Sequence, residues 1–598
     1  MKRFLLIIPL FAFFTFVAHA TEIMPLSEVK VGMTGVGRTV FKGANIEEFQ
    51  VEILGVLNNY LPQQNLILAT LKGGNLEDTG VIAGMSGSPV FINGKMIGAV
   101  SYAWPFSKTP IAGITPIESM MKTQTVTDER IPIAPPVEVA QYYNFENLLT
   151  NHLARAPQVS ATLAGLGKIE LMPIASPLMV SGFDPGLVEK FTPLFSTFGL
   201  QPVLGGSSGT AAEDRTTADA SLQPGSALSV QLIDGDVDIG AIGTVSYRDK
   251  NKVLAFGHPF FNLGPINFPM ATAEIFAVVP NLYSSFKIGS ARTVVGSIRQ
   301  DQQAAIFGIV GSDSPMIPVT VNLKNEQGEK RTFHFNVANH NLLSPVLVDF
   351  AFQNSIMVTQ LGLSESTLKV NGTVQIKDRA PVQITNIFSG SGSFANASQY
   401  VASILYAVMA NEFKHVDIQS VNIDVDTVMK KNDADLLEVW LDRNEVRPGE
   451  TVQLKAMYRP SQGTTQVENF QIKMPDDLQG QQVYFIVGGG QEITRQEFAL
   501  YGKAYQPDSL DQLITLLNGL RSNDRIYVKA FTNEPSLLMK GQFLSSLPSS
   551  VYSALASSQT IGSAQRISRL SLGEDSRPVN CFLTGTRVFS VRVLPRRN

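Results

Sequence analysis

Apolar residues along much of this chain come in short runs that are separated by glycine-containing turns. The pattern fills residues 24–125, returns from 225 to about 374, and returns again after about 416. Short apolar runs bounded by turn residues predict β-strands, and the Asn93-Gly94 pair between two such runs is typical of a tight hairpin. The first block therefore predicts a small β-barrel or sandwich, and the last has the spacing of an immunoglobulin-like domain.

Helical periodicity interrupts this pattern. Apolar residues recur with the period of a helix in four segments: 137–154, 185–198, 395–413 and 508–520. The last of these is followed by a predicted strand at 525–530. Residues 205–222 are small and polar, which is typical of a flexible loop. A mixed insert is therefore expected between the first two β-rich blocks.

The N-terminus has the organisation of a signal peptide. Lys2 and Arg3 precede an uncharged apolar run at 4–17, and the small-x-small sequence Ala-His-Ala ends at Ala20. The run is short for a membrane-spanning helix, which needs about 20 residues. We expect cleavage after Ala20 and an exported protein, periplasmic or secreted, with no stable membrane span after cleavage. An uncleaved N-terminal anchor is the alternative.

Composition narrows the functional classes. The 598 residues are enough for three or four domains, and 44% of them are hydrophobic while only 16% are charged. The formal net charge of −4 argues against a nucleic-acid-binding protein, which usually carries a basic excess. Cys581 is the only cysteine, which excludes an intrachain disulfide and a cysteine-based metal site. The chain also has no metal-binding or dinucleotide-binding motif, so no cofactor is predicted.

The sequence GMSGSP at 84–89 is the most informative motif. Gly84 allows a turn in which its own N–H and that of Ser86 point at one spot, as an oxyanion hole requires. A G-x-S-G-x-P loop followed by strand, Asn-Gly turn and strand is the nucleophile loop of chymotrypsin-like two-barrel proteases. A strand, and not the helix of an α/β-hydrolase elbow, follows it. The alternative is a glycine- and serine-rich turn in a structural barrel.

A serine nucleophile needs a base, which is usually histidine. Five histidines remain beyond the signal peptide: His152, His258, His334, His340 and His415. His258 follows the predicted strand at 253–257 and precedes a glycine- and proline-containing loop. This position at a barrel rim makes His258 the preferred general base.

The residue that orients this base is less defined by the sequence. Asp301 lies between two strands and follows His258 by 43 residues, close to the spacing in the chymotrypsin template. Asp249, in a hairpin turn, is a weaker candidate, and a Ser–His dyad without an acid is a third possibility. A Ser–Lys dyad through Lys95 is disfavoured because Lys95 sits in a turn.

Two blocks of the chain resemble the SpoIVB family of serine peptidases, the sporulation factor IV B type. The blocks are TGVIAGMSGSP at 79–89 with NGK at 93–95 and IGAV at 97–100, and IGTVSY at 242–247 with AFGH at 255–258, GSI at 296–298 and IFG at 306–308. They cover roughly 24–120 and 225–345. The resemblance implies that Ser86 is the nucleophile and His258 the base.

Three departures from the family accompany the resemblance. Ser86 precedes His258 by 172 residues, whereas the sporulation protein has its His block first. This order suggests a circularly permuted or rearranged pair of barrels. No PDZ-like segment precedes the core, and the family's acid position reads KGGN at 72–75, without a carboxylate.

The predicted fold is mainly β: a chymotrypsin-like double β-barrel core with a mixed insert, then an immunoglobulin-like β-rich region and a small α/β C-terminal region. The chain is divided into seven parts: a signal peptide (1–20), a Ser-bearing β-barrel (21–125), a mixed insert with a flexible loop (126–224), a His-bearing β-barrel (225–385), a helical linker (386–415), an immunoglobulin-like β domain (416–480) and a C-terminal mixed region (481–598).

The predicted function is an exported serine endopeptidase that acts on protein or peptide substrates through an acyl-enzyme. Ser86 and His258 carry the chemistry, Gly84 and Ser86 supply the oxyanion hole, and Asp301 is the candidate orienting acid. The alternatives are a catalytically degenerate binding or scaffold protein of the cell envelope, and an esterase that uses the same dyad. An envelope protein is the candidate partner of the C-terminal β region.

Overall fold

The computed structural model describes most of the chain between residues 21 and 595. The described ranges are 21–124, 159–163, 167–206, 221–359, 365–478, 480–501, 507, 509–533, 536–539, 542–544, 547–557, 565–567 and 570–595. The predicted signal peptide, the predicted helix at 137–154 and most of the predicted loop at 205–222 lie outside these ranges. No helix within the described ranges is long and apolar enough to cross a membrane.

Six antiparallel strands form a first barrel around the serine motif. They are β1 (Thr34–Thr39), β2 (Glu47–Leu61), β3 (Gln64–Lys72), β4 (Pro89–Ile92), β5 (Lys95–Ala103) and β6 (Ile111–Pro116), with the short helices α1 (Leu76–Thr79) and α2 (Ile117–Met121). The pairings close a ring in the order β4-β1-β2-β3-β6-β5, and β5 pairs again with β4. Alternate residues of β2, including Phe49, Val51 and Ile53, fill the core.

The insert contributes strands that connect the first barrel with a second one. They are β7 (Val159–Leu163), β8 (Gly167–Pro173), β9 (Ser176–Ser181) and β10 (Leu200–Leu204), with helix α3 (Pro185–Ser196) between the last two. Asp184 caps α3 by accepting a hydrogen bond from the N–H of Leu187, and Pro185 occupies the first helical turn. The helix predicted at 185–198 is therefore confirmed.

A second ring of six antiparallel strands carries the histidine motif. Its members are β11 (Ala227–Gly235), β12 (Asp238–Asp249), β13 (Lys252–Ala255), β14 (Gly264–Val279), β15 (Phe286–Gln302) and β16 (Ala305–Val310). They pair in the order β12-β13-β16-β15-β14-β11, and β11 returns to β12. The two rings confirm the predicted chymotrypsin-like double-barrel architecture.

The sheet of the second barrel continues into a helical layer. Further strands are β17 (Met316–Lys324), β18 (Lys330–Ala338), β19 (Ser366–Ile376), β20 (Val382–Gly390) and β21 (Ile418–Val428), with helices α4 (Leu343–Met357) and α5 (Ser393–Met409). The two helices pack on each other, and residues 343–356 of α4 are all buried. One hydrophobic core runs through this layer and the second barrel.

The C-terminal third is a two-layer arrangement of sheets. In chain order its elements are β22 (Asp433–Leu441), β23 (Glu445–Val446), β24 (Thr451–Pro460), β25 (Gln466–Lys473), β26 (Gln482–Gly489), α6 (Gly490–Tyr501), α7 (Leu510–Asn518), β27 (Arg525–Thr532), β28 (Ser536–Met539), β29 (Gln542–Leu544), α8 (Ser549–Ser557), β30 (Gln565–Ile567), β31 (Leu570–Pro578), β32 (Phe582–Thr584) and β33 (Thr586–Val593). A four-stranded and a five-stranded sheet share one core, so residues on both sides of position 480 pack together.

The two barrels meet through backbone contacts at the serine motif. The N–H of Thr244 on β12 donates to the carbonyl of Ser86 at 2.9 Å, and its hydroxyl donates to the carbonyl of Gly84 at 3.0 Å. The N–H of Ala83 donates to the carbonyl of Ser285 at 2.7 Å, and the N–H of Lys287 returns to the Ala83 carbonyl at 3.1 Å. The serine loop is therefore held by the barrel that carries the histidine.

Gly87 is the closest point of this contact, and we expect Gly87→Ala to destabilise it. A β-carbon there would lie 2.1 Å from the Thr244 carbonyl oxygen and 2.5 Å from the Phe256 nitrogen, at a φ of +93°. Because a side chain is strained at this φ and neither backbone atom can move freely, the expected loss is about 2 kcal/mol or more.

Urea unfolding followed by Trp104 fluorescence, in a Trp440→Phe background, measures the loss in the first barrel. Gly55→Ala is the control, since its β-carbon would meet nothing within 4 Å. Equal urea midpoints for the two alanine variants would contradict the tight contact at Gly87.

Candidate active site

The serine motif forms a compact loop at the face of the first barrel. Gly84 and Gly87 have φ values of +94° and +93°, which favour glycine and turn the chain on either side of Ser86. The side chain of Met85 is buried in the core of the first barrel. Ser86 itself is 0% exposed, and its Oγ has no hydrogen-bond partner among the residues that the structure describes.

Two N–H groups of this loop are without an acceptor. The N–H groups of Met85, Gly87 and Ser88 donate to the carbonyls of Ile82, Val100 and Met85, in that order. Those of Gly84 and Ser86 make no such bond within the described part of the chain. They are the two donors that the sequence predicts for an oxyanion hole.

His258 follows a strained turn at the end of β13. Phe256 has a φ of +69° and Gly257 a φ of +70°, and a left-handed conformation is uncommon for a phenylalanine. The Phe256 ring offsets the strain by packing where Gly243 has no side chain. Such backbone strain is found at functional sites, where the surroundings hold it in place.

The first barrel anchors this turn directly. The Thr115 hydroxyl donates to the Gly257 carbonyl at 2.7 Å, and it lies 2.7 Å from the Ser101 hydroxyl. The Gly257 α-carbon faces the Ser101 side chain so closely that a β-carbon would lie 3.0 Å from it. The histidine backbone is therefore fixed against β5 and β6. Sequence reasoning did not identify Ser101 or Thr115, because serine and threonine in a strand carry no functional signal.

The imidazole of His258 is held in one tautomer. Its Nδ1 lies 2.7 Å from the carbonyl oxygen of Pro259, which can only accept, so Nδ1 carries the proton. Nε2 is buried and has no hydrogen-bond partner of normal geometry among the described residues. In this tautomer Nε2 carries the lone pair that can accept a proton.

Burial lowers the pKa of His258 to about 4, although the backbone carbonyls of Pro259 and Ile174 favour the charged form. The side chain is 3% exposed. The histidine is thus neutral at physiological pH, as a general base must be.

Ser86 and His258 lie on adjoining loops but do not hydrogen-bond each other, since both reactive atoms are without partners. Their loops touch where Gly87 meets Phe256. Catalytic hydrogen bonds are often long or absent before substrate binds. The structure therefore brings the two residues into one region without forming the dyad bond.

Asp301 contacts the loop that follows His258. At the end of β15 its carboxylate accepts the N–H groups of Phe260 and Phe261, each at 2.7 Å, and that of Leu263 at 3.2 Å. Burial raises the pKa of Asp301 to about 6 against the opposing effect of these donors. The position that an orienting acid would fill at Nδ1 is instead taken by the Pro259 carbonyl.

The other candidates lie elsewhere. Asp249 is exposed and pairs with Lys252 across a hairpin, and the Lys95 ammonium lies 3.6 Å from the Glu22 carboxylate. The His340 Nδ1 accepts the N–H groups of Leu342 and Leu343 at the start of α4. The two remaining described histidines are exposed His334 on β18 and His415, which faces Asp417, while His152 lies outside the described residues.

Lys287 is a buried group that no sequence motif identified. It is 0% exposed, its alkyl chain passes against Gly84, and its Nζ donates to the Thr39 hydroxyl at 2.8 Å. Burial lowers the pKa of Lys287 to about 7. The lysine therefore packs under the serine loop as an amine that titrates near neutrality. Within the described residues, no group of three or more metal-ligating side chains occurs.

Comparison with known proteins finds a match that covers the first barrel. Residues 14–121 match the family model described as SpoIVB peptidase S55. No curated protein and no solved structure matches the chain. The resemblance seen in the sequence is confirmed over this segment, which contains Ser86 and supports a serine peptidase.

An NMR titration of His258 tests whether its imidazole is neutral. We expect the His258 Cε1–H resonance to titrate near pH 4, because burial disfavours the imidazolium. The resonance is assigned by its loss in His258→Gln. A midpoint at pH 6 or above would contradict the buried, neutral imidazole.

The same burial predicts how stability depends on pH. The unfolded histidine takes up a proton near pH 6.5, and the folded one only near pH 4. The contribution of neutral His258 to the free energy of unfolding is therefore fully present above pH 6.5. It falls by about 3 kcal/mol as the pH drops to 4. Urea midpoints of wild type and His258→Gln across this range measure the difference.

Proposed function

We propose that this protein is an exported serine endopeptidase in which Ser86 is the nucleophile and His258 the general base. The observation that carries the proposal is the pair of unbonded N–H groups, on Gly84 and Ser86, beside a buried hydroxyl without a partner. In a loop whose N–H groups all have acceptors, no pair of donors would be available to bind an oxyanion. A nearby neutral imidazole, whose Nε2 carries the lone pair, adds the base.

In this mechanism the hydrogen bond between Ser86 Oγ and His258 Nε2 forms when a peptide enters the site. Nε2 takes the proton of Ser86 Oγ as the oxygen attacks the scissile carbonyl carbon. The N–H groups of Gly84 and Ser86 stabilise the oxyanion. The imidazolium then protonates the leaving amine, and an acyl-enzyme remains. Water attacks the acyl-enzyme with Nε2 as base again, which releases the acid and restores Ser86.

The Pro259 carbonyl supports this mechanism in place of a carboxylate. It fixes the tautomer, which is one task of the acid in the Ser-His-Asp template. Because a carbonyl is uncharged, it stabilises the imidazolium less, and a slower peptidase is expected. Asp301 would act indirectly, as a positioning residue. It holds the 259–263 loop and so orients the Pro259 carbonyl toward His258 Nδ1.

Export through the signal peptide, with cleavage after Ala20, belongs to the same proposal and rests on the N-terminal sequence. The proposal also includes an envelope protein as the partner of the C-terminal sheets. A degenerate binding protein is the second candidate, because Ser86 and His258 are both buried and unbonded to each other. An esterase would use the same dyad without cleaving proteins.

Labelling with a fluorophosphonate tests the nucleophile. We expect Ser86→Ala to abolish labelling and His258→Ala to slow it by about 100-fold or more, since general-base catalysis contributes that much. Ser88→Ala is the matched control, because Ser88 is equally buried and its Oγ is also without a partner. Labelling that survives Ser86→Ala, or that Ser88→Ala also abolishes, would contradict the assignment.

The class of substrate that is cleaved distinguishes an endopeptidase from an esterase. Cleavage of an unfolded protein by wild type, absent in Ser86→Ala, supports the endopeptidase. Turnover of short esters without protein cleavage supports the esterase.

Asp301→Asn tests the positioning role. An amide keeps the size of the side chain but offers one acceptor oxygen where the carboxylate has two for three N–H groups. We expect labelling to slow by about 10-fold, which is less than in His258→Ala. We also expect the free energy of unfolding to fall by about 1 kcal/mol, because one net hydrogen bond is lost. An effect as large as that of His258→Ala would indicate that the carboxylate contacts the imidazole during catalysis.

A further inference from the structure

A short segment of the insert crosses from one barrel to the other directly at the candidate site. At its start, Pro173 at the end of β8 pairs with Tyr102 on β5 of the first barrel. At its end, Leu178 on β9 pairs with Ala241 on β12 of the second barrel. Residues 173–177, which we term the strap, therefore span the cleft between the barrels.

The strap touches both halves of the site. The N–H of Ile174 donates to the Ser101 carbonyl at 2.9 Å, and the Ile174 carbonyl faces the His258 imidazole. The Pro177 ring lies against Gly84, within 3.3 Å of where a β-carbon would stand. One extended segment thus contacts the histidine and the serine loop together.

Hydrophobic cores hold the strap at its start and at the residue that follows it. Ile174 is 4% exposed and belongs to the core of the first barrel, whereas Leu178 is fully buried in the core of the second. Between them Ser176 is buried, and its hydroxyl has no partner among the described residues. The strap is therefore a packed part of the closed site and contributes to the burial of His258 and of the serine loop.

We propose that the cleft between the barrels is a binding site for an extended peptide with small and apolar side chains, and that the strap is its intramolecular occupant. This inference rests on the proposed function, since it assigns the strap to the position of a substrate at the same site. The chemistry fits, because the strap is extended, uses backbone N–H and C=O groups toward Ser101 and His258, and has the sequence PIASP.

The consequence is a latent enzyme. A tethered occupant is present at high effective concentration, so a free peptide must displace it before reaching Ser86. Displacement also gives a substrate access to His258 and to the N–H groups of Gly84 and Ser86. Substrates that compete should resemble the strap in being extended, small and uncharged.

Loosening the strap tests the inference. Ile174→Ala removes its anchor in the first barrel, and we expect fluorophosphonate to label Ser86 at least 10-fold faster than in wild type. Ile53→Ala is the matched control, because Ile53 is as buried in the same core but lies on β2. Pro177→Gly, which leaves both anchors in place, is the second variant and should also accelerate labelling. Equal rates in wild type, Ile174→Ala and Pro177→Gly would overturn the inference.

A binding measurement separates this inference from the proposed function. The probe is a fluorescein-labelled synthetic peptide with the sequence of residues 170–179, ELMPIASPLM. On a Ser86→Ala background, we expect it to bind the Ile174→Ala double variant at least 10-fold more tightly than the single variant, and a scrambled peptide to bind neither.

The outcomes are distinct. Binding gained without labelling in any variant would support the strap and contradict the serine nucleophile. Equal labelling of all variants, with no gain in binding, would support the nucleophile and overturn the strap. Equal binding of the peptide to both forms would also overturn it.

Discussion

The site depends on one contact, the close approach of the serine loop of the first barrel to the strand end that precedes His258. Gly87 lies against the backbone of Thr244 and Phe256, and Thr244 bonds the carbonyls of Ser86 and Gly84. Each of these two loops is held in its shape by atoms of the other barrel. The low-dielectric environment of the site follows from the same packing.

Burial determines the chemistry of the groups around this contact. Desolvation lowers the pKa of His258 to about 4 and that of Lys287 to about 7, and raises that of Asp301 to about 6. All three shifts favour the uncharged form. A neutral imidazole suits a general base, whereas a charged intermediate must be stabilised by the few donors that stay unbonded, at Gly84 and Ser86.

The sequence predicted the strands and the glycine turns of the 84–89 loop better than it predicted the partners of His258. Period-two alternation and the Asn93-Gly94 turn indicate β-strands because they reflect local geometry. The role of Asp301 was inferred from its spacing to His258, but a spacing does not show where a carboxylate points. The contacts of Lys287, Thr115 and Ile174 join segments far apart in the chain. Tertiary packing alone creates them, so no local pattern could have revealed them.

The reversed order of the two blocks bears on the strap. The chemistry needs the Ser and His loops to meet, and which barrel comes first does not matter to the geometry. The connection does matter, because with the serine barrel first the chain passes from β5 and β6 to β12. In the structure it does so through β8 and β9, at the level of Ser101 and His258. The order of the barrels therefore places a connecting segment against the candidate site, and the latency that we propose depends on this placement.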